Sequence, residues 1–213
     1  MATERTDQRR EAGQRTRDGL LAATVELLAQ RGPEGVTLRE ITEKAGANVS
    51  AVSYHFGSLK ALCDSAIEHA LEQYLDAQIN AVASLGADSS VEELAAAFAR
   101  PMLRALAAGG RDLAVMRTVA RVGIDPPEGW DRLSGKFERS RGDVLRVLSA
   151  NLRGVDEREL AFRVRSAAGL LNWLALAPIG AELAAEPPEL IERWLTPVVA
   201  GAFTGPRVPA DQG

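Results

Sequence analysis

Cysteine is almost absent from this chain of 213 residues, which holds one, Cys63. A lone thiol closes no internal disulfide and completes no zinc motif; it fits a reducing cytosol and reads as a structural thiol, not a redox sensor. Histidine is nearly as scarce, with His55 and His69 alone. Neither stands in a nucleophile or metal-ligand motif, and no glycine-rich phosphate loop occurs, so the expectation is no enzyme, no cofactor and no metal. Long apolar runs are missing too. The longest, Ala167 to Ile179, is interrupted by Asn172 and Pro178 and falls short of the ~20 residues that span a bilayer. Met1 to Arg17 is polar and arginine-rich with no apolar core behind it, which is not the pattern of a signal peptide. The expected location is therefore cytoplasmic, away from membranes. Alternating or β-branched runs are also lacking, which argues against a sheet, and no internal repeat is visible.

What is there is helical spacing almost throughout, so the expected fold class is all-α. The length suffices for a buried core without staples. A first helix is expected over Thr16 to Gln30, stopped by Arg31-Gly32-Pro33. Thr37 and Glu40 form a Thr-x-x-Glu capping box opening a short helix with Leu38, Ile41 and Ala45 inward. Gly46 ends it, and Asn48 is a good N-cap for a second short helix through Phe56. Longer helices are expected from Leu59 to Ser84, Ser90 to Ala107, Asp112 to Val122, Trp130 to Leu152, Asp156 to Ala177 and Pro188 to Phe203, with Ser90/Glu93 and Asp156/Glu159 as further boxes. The expected organisation is a flexible basic arm (1–15), a helix-turn-helix (16–58), a helical ligand-binding and dimerisation domain (59–204) and a disordered tail (205–213).

Net charge is −4, but it is unevenly spread. The first sixty residues hold nine Lys/Arg against eight Asp/Glu, leaving −5 for the rest, and five of the arginines precede Asp18. That polarity suits one end meeting phosphate, and it suits a solvated tail equally.

Two short helices joined by a tight glycine turn, behind a longer buttressing helix, make the helix-turn-helix of DNA readers. Val49, Ser50 and Ser53 would face outward, short enough to let the second helix lie deep in a major groove. The stretch from Thr37 to Ser58, with its Tyr54-His55-Phe56 ending, resembles the DNA-binding signature of the TetR family of transcriptional regulators. The resemblance covers about Thr16 to Ala70. Two departures stand out: Thr42 replaces the usual alanine, and the usual lysine is missing at Leu59, with Lys60 one step later and some 100° around the helix. The resemblance implies phosphate contacts from Thr37, Tyr54 and His55 and base contacts from Arg39, Val49, Ser50 and Ser53, with Asn48 and Lys60 as further DNA-binding candidates. Phe56 belongs to the core.

Beyond Ser90, large residues scattered among Ala, Leu and Gly can leave an apolar cavity between helices. Phe98, Met102, Met116, Phe137 and Trp173 are the candidate ligand contacts, with ordinary core as the competing role for each. Ala167 to Ala177 is apolar on nearly every side. Leu160, Val164, Leu171 and Leu174, facing Ile191, Leu195, Val198 and Val199, could form a four-helix interface across a two-fold axis, or could simply be buried within the chain. The resulting expectation is a homodimeric, ligand-responsive repressor of double-stranded operator DNA, released by a small apolar or amphipathic effector. A helical adaptor of the same fold that binds protein is the competing reading, favoured by the net charge and by the lysine missing at Leu59.

Overall fold

The computed structural model describes residues 2–86, 88–152 and 154–205; the side chains of residues 2–6, 132–133, 136–137 and 139–140 lie outside the description, as do residues 206–213 of the expected tail. Among the described residues there are ten α-helices and no strand: α1 (Ala2–Arg31), α2 (Leu38–Ala45), α3 (Val49–Phe56), α4 (Leu59–Ala83), α5 (Val91–Ala108), α6 (Gly110–Ile124), α7 (Trp130–Asn151), α8 (Glu157–Leu176), α9 (Ile179–Leu183) and α10 (Pro188–Thr204). The all-α expectation holds.

Local chemistry places most of the boundaries. The Thr37/Glu40 and Ser90/Glu93 capping boxes both form, and Asn48 and Ser58 cap α3 and α4 by accepting from Ala51 and Ala61. Gly46 closes α2 in the left-handed region at φ 61°, where a Cβ would be penalised. The expected Asp156/Glu159 box forms only in part. Asp156 accepts from the Arg158 and Glu159 amides, but the Glu159 carboxylate turns to Arg163. The first helix also begins much earlier than expected. Residues 2–15, expected as an arm, continue α1, since Ala, Glu, Gln and Arg favour helix even without an apolar stripe.

Two cores form, and they share helices. The N-terminal core joins Leu20, Val25 and Leu28 of α1 to Ile41, Val52 and Leu62, and it also takes Val115, Val119 and Val122 of α6. The C-terminal core is built on Leu94, Phe98, Met102, Leu148, Leu160 and Phe203. Phe98 and Phe203 meet edge to face at 5.4 Å, tying α5 to α10. Helix α4 serves the first core through Leu75 and the second at Val82, so no gap separates the two units near residue 59.

That packing corrects the expected dimer seam. Leu160, Val164, Leu171, Leu174, Ile191 and Leu195 are all buried within the protomer. On a helix apolar all round, periodicity does not say which side the chain itself covers. Of the expected seam only Val198 is exposed. It lies with Trp194 on α10, while Phe162 and Trp173 are exposed on α8.

Arg163 fastens the end of α10. It is buried, pairs with Glu159, and donates to the Phe203 carbonyl at 2.9 Å and the Gly205 carbonyl at 3.1 Å. Arg163→Met strands a carboxylate and two helix-end carbonyls, so it is expected to lower stability by about 2–4 kcal/mol. Urea unfolding checks this. A loss below about 1 kcal/mol would mean that water satisfies those groups equally well.

Candidate nucleic-acid interface and effector cavity

The helix-turn-helix, a candidate reading head, is α2 and α3 held against α1 and α4. Ile41 and Val52 are almost fully buried between the helices, and charged ties fix the rim. Lys44 meets Glu26 of α1 at 2.6 Å, and Arg31 at the end of α1 pairs with Glu40. Hydrogen bonds from Thr37 and then Arg31 hold the Glu40 carboxyl down at about 2, so it stays ionised as half of the capping box. The Arg17 guanidinium lies 5.2 Å over the Phe56 ring, joining α1 to the last turn of α3.

With these residues inward or paired, α3 shows a distinct outer face. Tyr54 is 85% exposed and Val49 51% exposed, and Ser50 and Ser53 are exposed beside them. His55 is half-buried, edge-on to Tyr54 at 4.9 Å. Asn48 is committed to the cap, accepting from the Ala51 amide and from the Ser50 hydroxyl at 2.6 Å. Arg39 is exposed on α2.

Two expected residues sit differently. Thr37 is exposed, but its hydroxyl donates to Glu40 at 2.7 Å and its amide donates to the same carboxylate, so both groups serve the cap. The Lys60 ammonium is paired with Asp64 at 3.0 Å, and the side chain lines a recess between the end of α1, the start of α4 and residues 125–128. One step along the helix has turned this lysine toward that recess. Cys63 lines the same recess; burial pushes its thiol up to about 11, so it stays protonated.

Helix α6 is bolted to the reading head. Thr118 donates to the Val25 carbonyl at 3.1 Å, and Arg121 donates to the carbonyls of Ala29 and Gln30, both at 2.9 Å. The two Arg121 acceptors are in the last turn of α1, where helix carbonyls lack internal partners. Arg117 reaches the other way, to the Ala175 carbonyl at the end of α8.

A cavity of about 240 Å³ opens among α4, α5, α6, α7 and α8. Of the expected ligand contacts, Phe98 lines it. Met102 and Met116 are packed in the core, and Trp173 lies on the exposed side of α8; the Phe137 side chain lies outside the described residues. Size alone does not mark a cavity wall. Room is left where Gly123, Ala168 and Gly169 are small, and the polar wall consists of Tyr74, Gln78, Arg141, Arg165 and Asn172. Asn172, a polar interruption in the most apolar helix, was the one signal in the sequence.

Among the described residues no group of three or more His, Cys, Asp or Glu could hold a metal ion, and no helix is long and apolar enough to cross a membrane.

Comparison with known proteins agrees with this geometry. Residues 20–66 match the family model described as bacterial regulatory proteins, tetR family. Over 78 residues the chain is 32% identical to the HTH-type transcriptional repressor NicS of Pseudomonas putida, and the match covers 37% of each protein, little more than a third of that relative's length. The TetR family transcriptional regulator PfmR from Thermus thermophilus superposes with a TM-score of 0.61 at 17% identity, over 85% of this chain and 96% of that one. AibR, solved in complex with isovaleryl coenzyme A and operator DNA, gives 0.63 at 14% identity, over 90% and 100%. Residues 20–66 thus carry the signature of the tetR family of bacterial regulatory proteins, and the chain as a whole shares its fold with solved regulators of that family.

Proposed function

We propose that this protein is a cytoplasmic, ligand-responsive repressor that binds a near-palindromic operator as a homodimer. The observation that carries the reading is the outer face of α3. That face presents an 85% exposed tyrosine, a half-exposed valine and two short exposed serines on a helix buttressed from behind. It suits a major groove, where Ser50 and Ser53 permit close approach, Val49 can touch a thymine methyl and Arg39 can take a guanine edge. Tyr54 and His55 lie at the end of the helix, in reach of the backbone phosphates. Thr37 contributes by fixing the start of α2.

Two similar proteins support the finer points: NicS is a transcriptional repressor, and AibR was solved with both isovaleryl coenzyme A and operator DNA. A two-fold pairing of α8 and α10 would cover Phe162, Trp173, Trp194 and Val198, whose exposure is otherwise costly. The effector occupies the cavity beside Phe98. Val119 and Gly123 of α6 line that cavity, while Thr118 and Arg121 of the same helix grip α1. A ligand that displaces α6 therefore pulls on the turn carrying Arg31, and through the Arg31–Glu40 pair on α2. It must bind the released form more tightly, about tenfold for each 1.4 kcal/mol of release.

Mobility shift on DNA flanking the protein's own gene tests the DNA reading; absence of a shift, with a protein partner captured instead, would favour the adaptor. Arg121→Ala tests the coupling. Operator affinity is expected to stay within a few-fold while effector-induced release is lost, and unchanged release would exclude α6 as the link.

A further inference from the structure

We infer that the cavity among α4 to α8 is selective for a compact amphipathic anion, a molecule with one carboxylate and a short apolar body. The inference rests on the effector reading above and adds the ligand's chemistry. Its basis is the lopsided charge of the wall. Two guanidiniums, Arg141 of α7 and Arg165 of α8, line the cavity, and no aspartate or glutamate among the described residues lines it with them. Arg141 pairs with Glu138 on its own helix. Arg165 is exposed, and no ion pair is found for it among the described residues. A planar guanidinium has five donors in a fork that matches a carboxylate, so Arg165 can receive one bidentately.

Neutral groups reinforce the same preference. Tyr74 lines the cavity, and burial holds its phenol pKa well above the usual tyrosine range, so its hydroxyl remains a donor throughout the physiological pH range. No hydrogen bond of that hydroxyl is found among the described residues. Asn172, half-buried on α8, adds an amide. Gln78 is already occupied: its amide donates to the Phe98 carbonyl at 3.1 Å, in the stretch of α5 where Pro101 lacks an N–H. The apolar part of the lining comes from Phe98, Val144, Val164 and Leu171.

Volume sets the size. At about 240 Å³ the cavity is smaller than the ~300–1,000 Å³ of pockets for drug-sized ligands. A short aliphatic or monocyclic aromatic acid fits. A long chain or a nucleotide-bearing conjugate does not enter whole.

The test uses the full-length protein and a named panel: butanoate, hexanoate, octanoate, benzoate and phenylacetate, each against its primary amide. Isothermal titration is expected to show the best acid binding at least tenfold more tightly than its amide. Arg165→Gln should abolish that preference, and Tyr74→Phe should weaken the acid several-fold while leaving the amide little changed. Circular dichroism and sedimentation of both variants should match the parent. Equal affinity for acids and amides, binding of no acid at millimolar concentration, or an unchanged preference in Arg165→Gln would each overturn the inference. So would dissociation of the oligomer in Arg165→Gln, which would make Arg165 an interface residue. Mobility shift is read separately: an acid that binds selectively yet releases no DNA leaves the ligand class standing and removes the effector role.

Discussion

Trp194→Glu is expected to make the protein monomeric and to reduce its affinity for a two-half-site operator by about 10²–10⁴-fold, the loss that follows when two linked contacts become one. The side chain is half exposed on α10, so glutamate there costs the protomer little and should leave its melting nearly unchanged. What it spoils is the apolar stripe with Phe162, Trp173 and Val198. Against a second copy a charge at that position would be desolvated without a partner. Phe162→Glu on α8 should act alike. Sedimentation and mobility shift are the measurements, and a dimer that survives both substitutions would place the interface elsewhere.

Arg39→Ala and Tyr54→Ala are expected to weaken DNA binding in different ways. Loss of the arginine removes a bidentate base contact, about 1–3 kcal/mol of discrimination at one base pair in each half-site. Loss of the tyrosine removes a contact that positions without reading, so affinity falls on all sequences by a similar factor. Binding to a panel of single-base operator variants separates the two. If Tyr54→Ala changed the preference and Arg39→Ala did not, the roles would be reversed or wrong.

The parts of this molecule that depend on near neighbours in the chain were legible in the sequence. Thr37 with Glu40, Asn48, Gly46, and Ser90 with Glu93 each satisfy backbone groups three or four residues away, and each helix boundary they mark is where it was expected. The parts that depend on distant neighbours were not. Leu171 and Trp173 both stand in the stretch of α8 that is apolar on nearly every side, yet one is buried in the C-terminal core and the other exposed, and nothing local in that stretch says which side the rest of the chain covers. The methionines expected at a ligand instead fill the core, and the polar cavity wall comes from helices that no local pattern relates. Arg121 was unreadable for the same reason: its acceptors lie 91 and 92 residues away.

Cys63 sits in the N-terminal core, and the C-terminal core has no cysteine at all. A nearly buried, protonated thiol lining a recess reacts slowly with alkylating reagents, since only the exposed thiolate reacts, and it reacts faster as its surroundings open. The chain thus contains a built-in clock for one of its two halves. The rate at which Cys63 is alkylated reports how often the reading head breathes, independently of any opening confined to the C-terminal core. DNA that clamps α3 would slow that clock, and an effector that strains α1 through α6 would quicken it, so the coupling between the two halves could be timed on the native chain without any attached label.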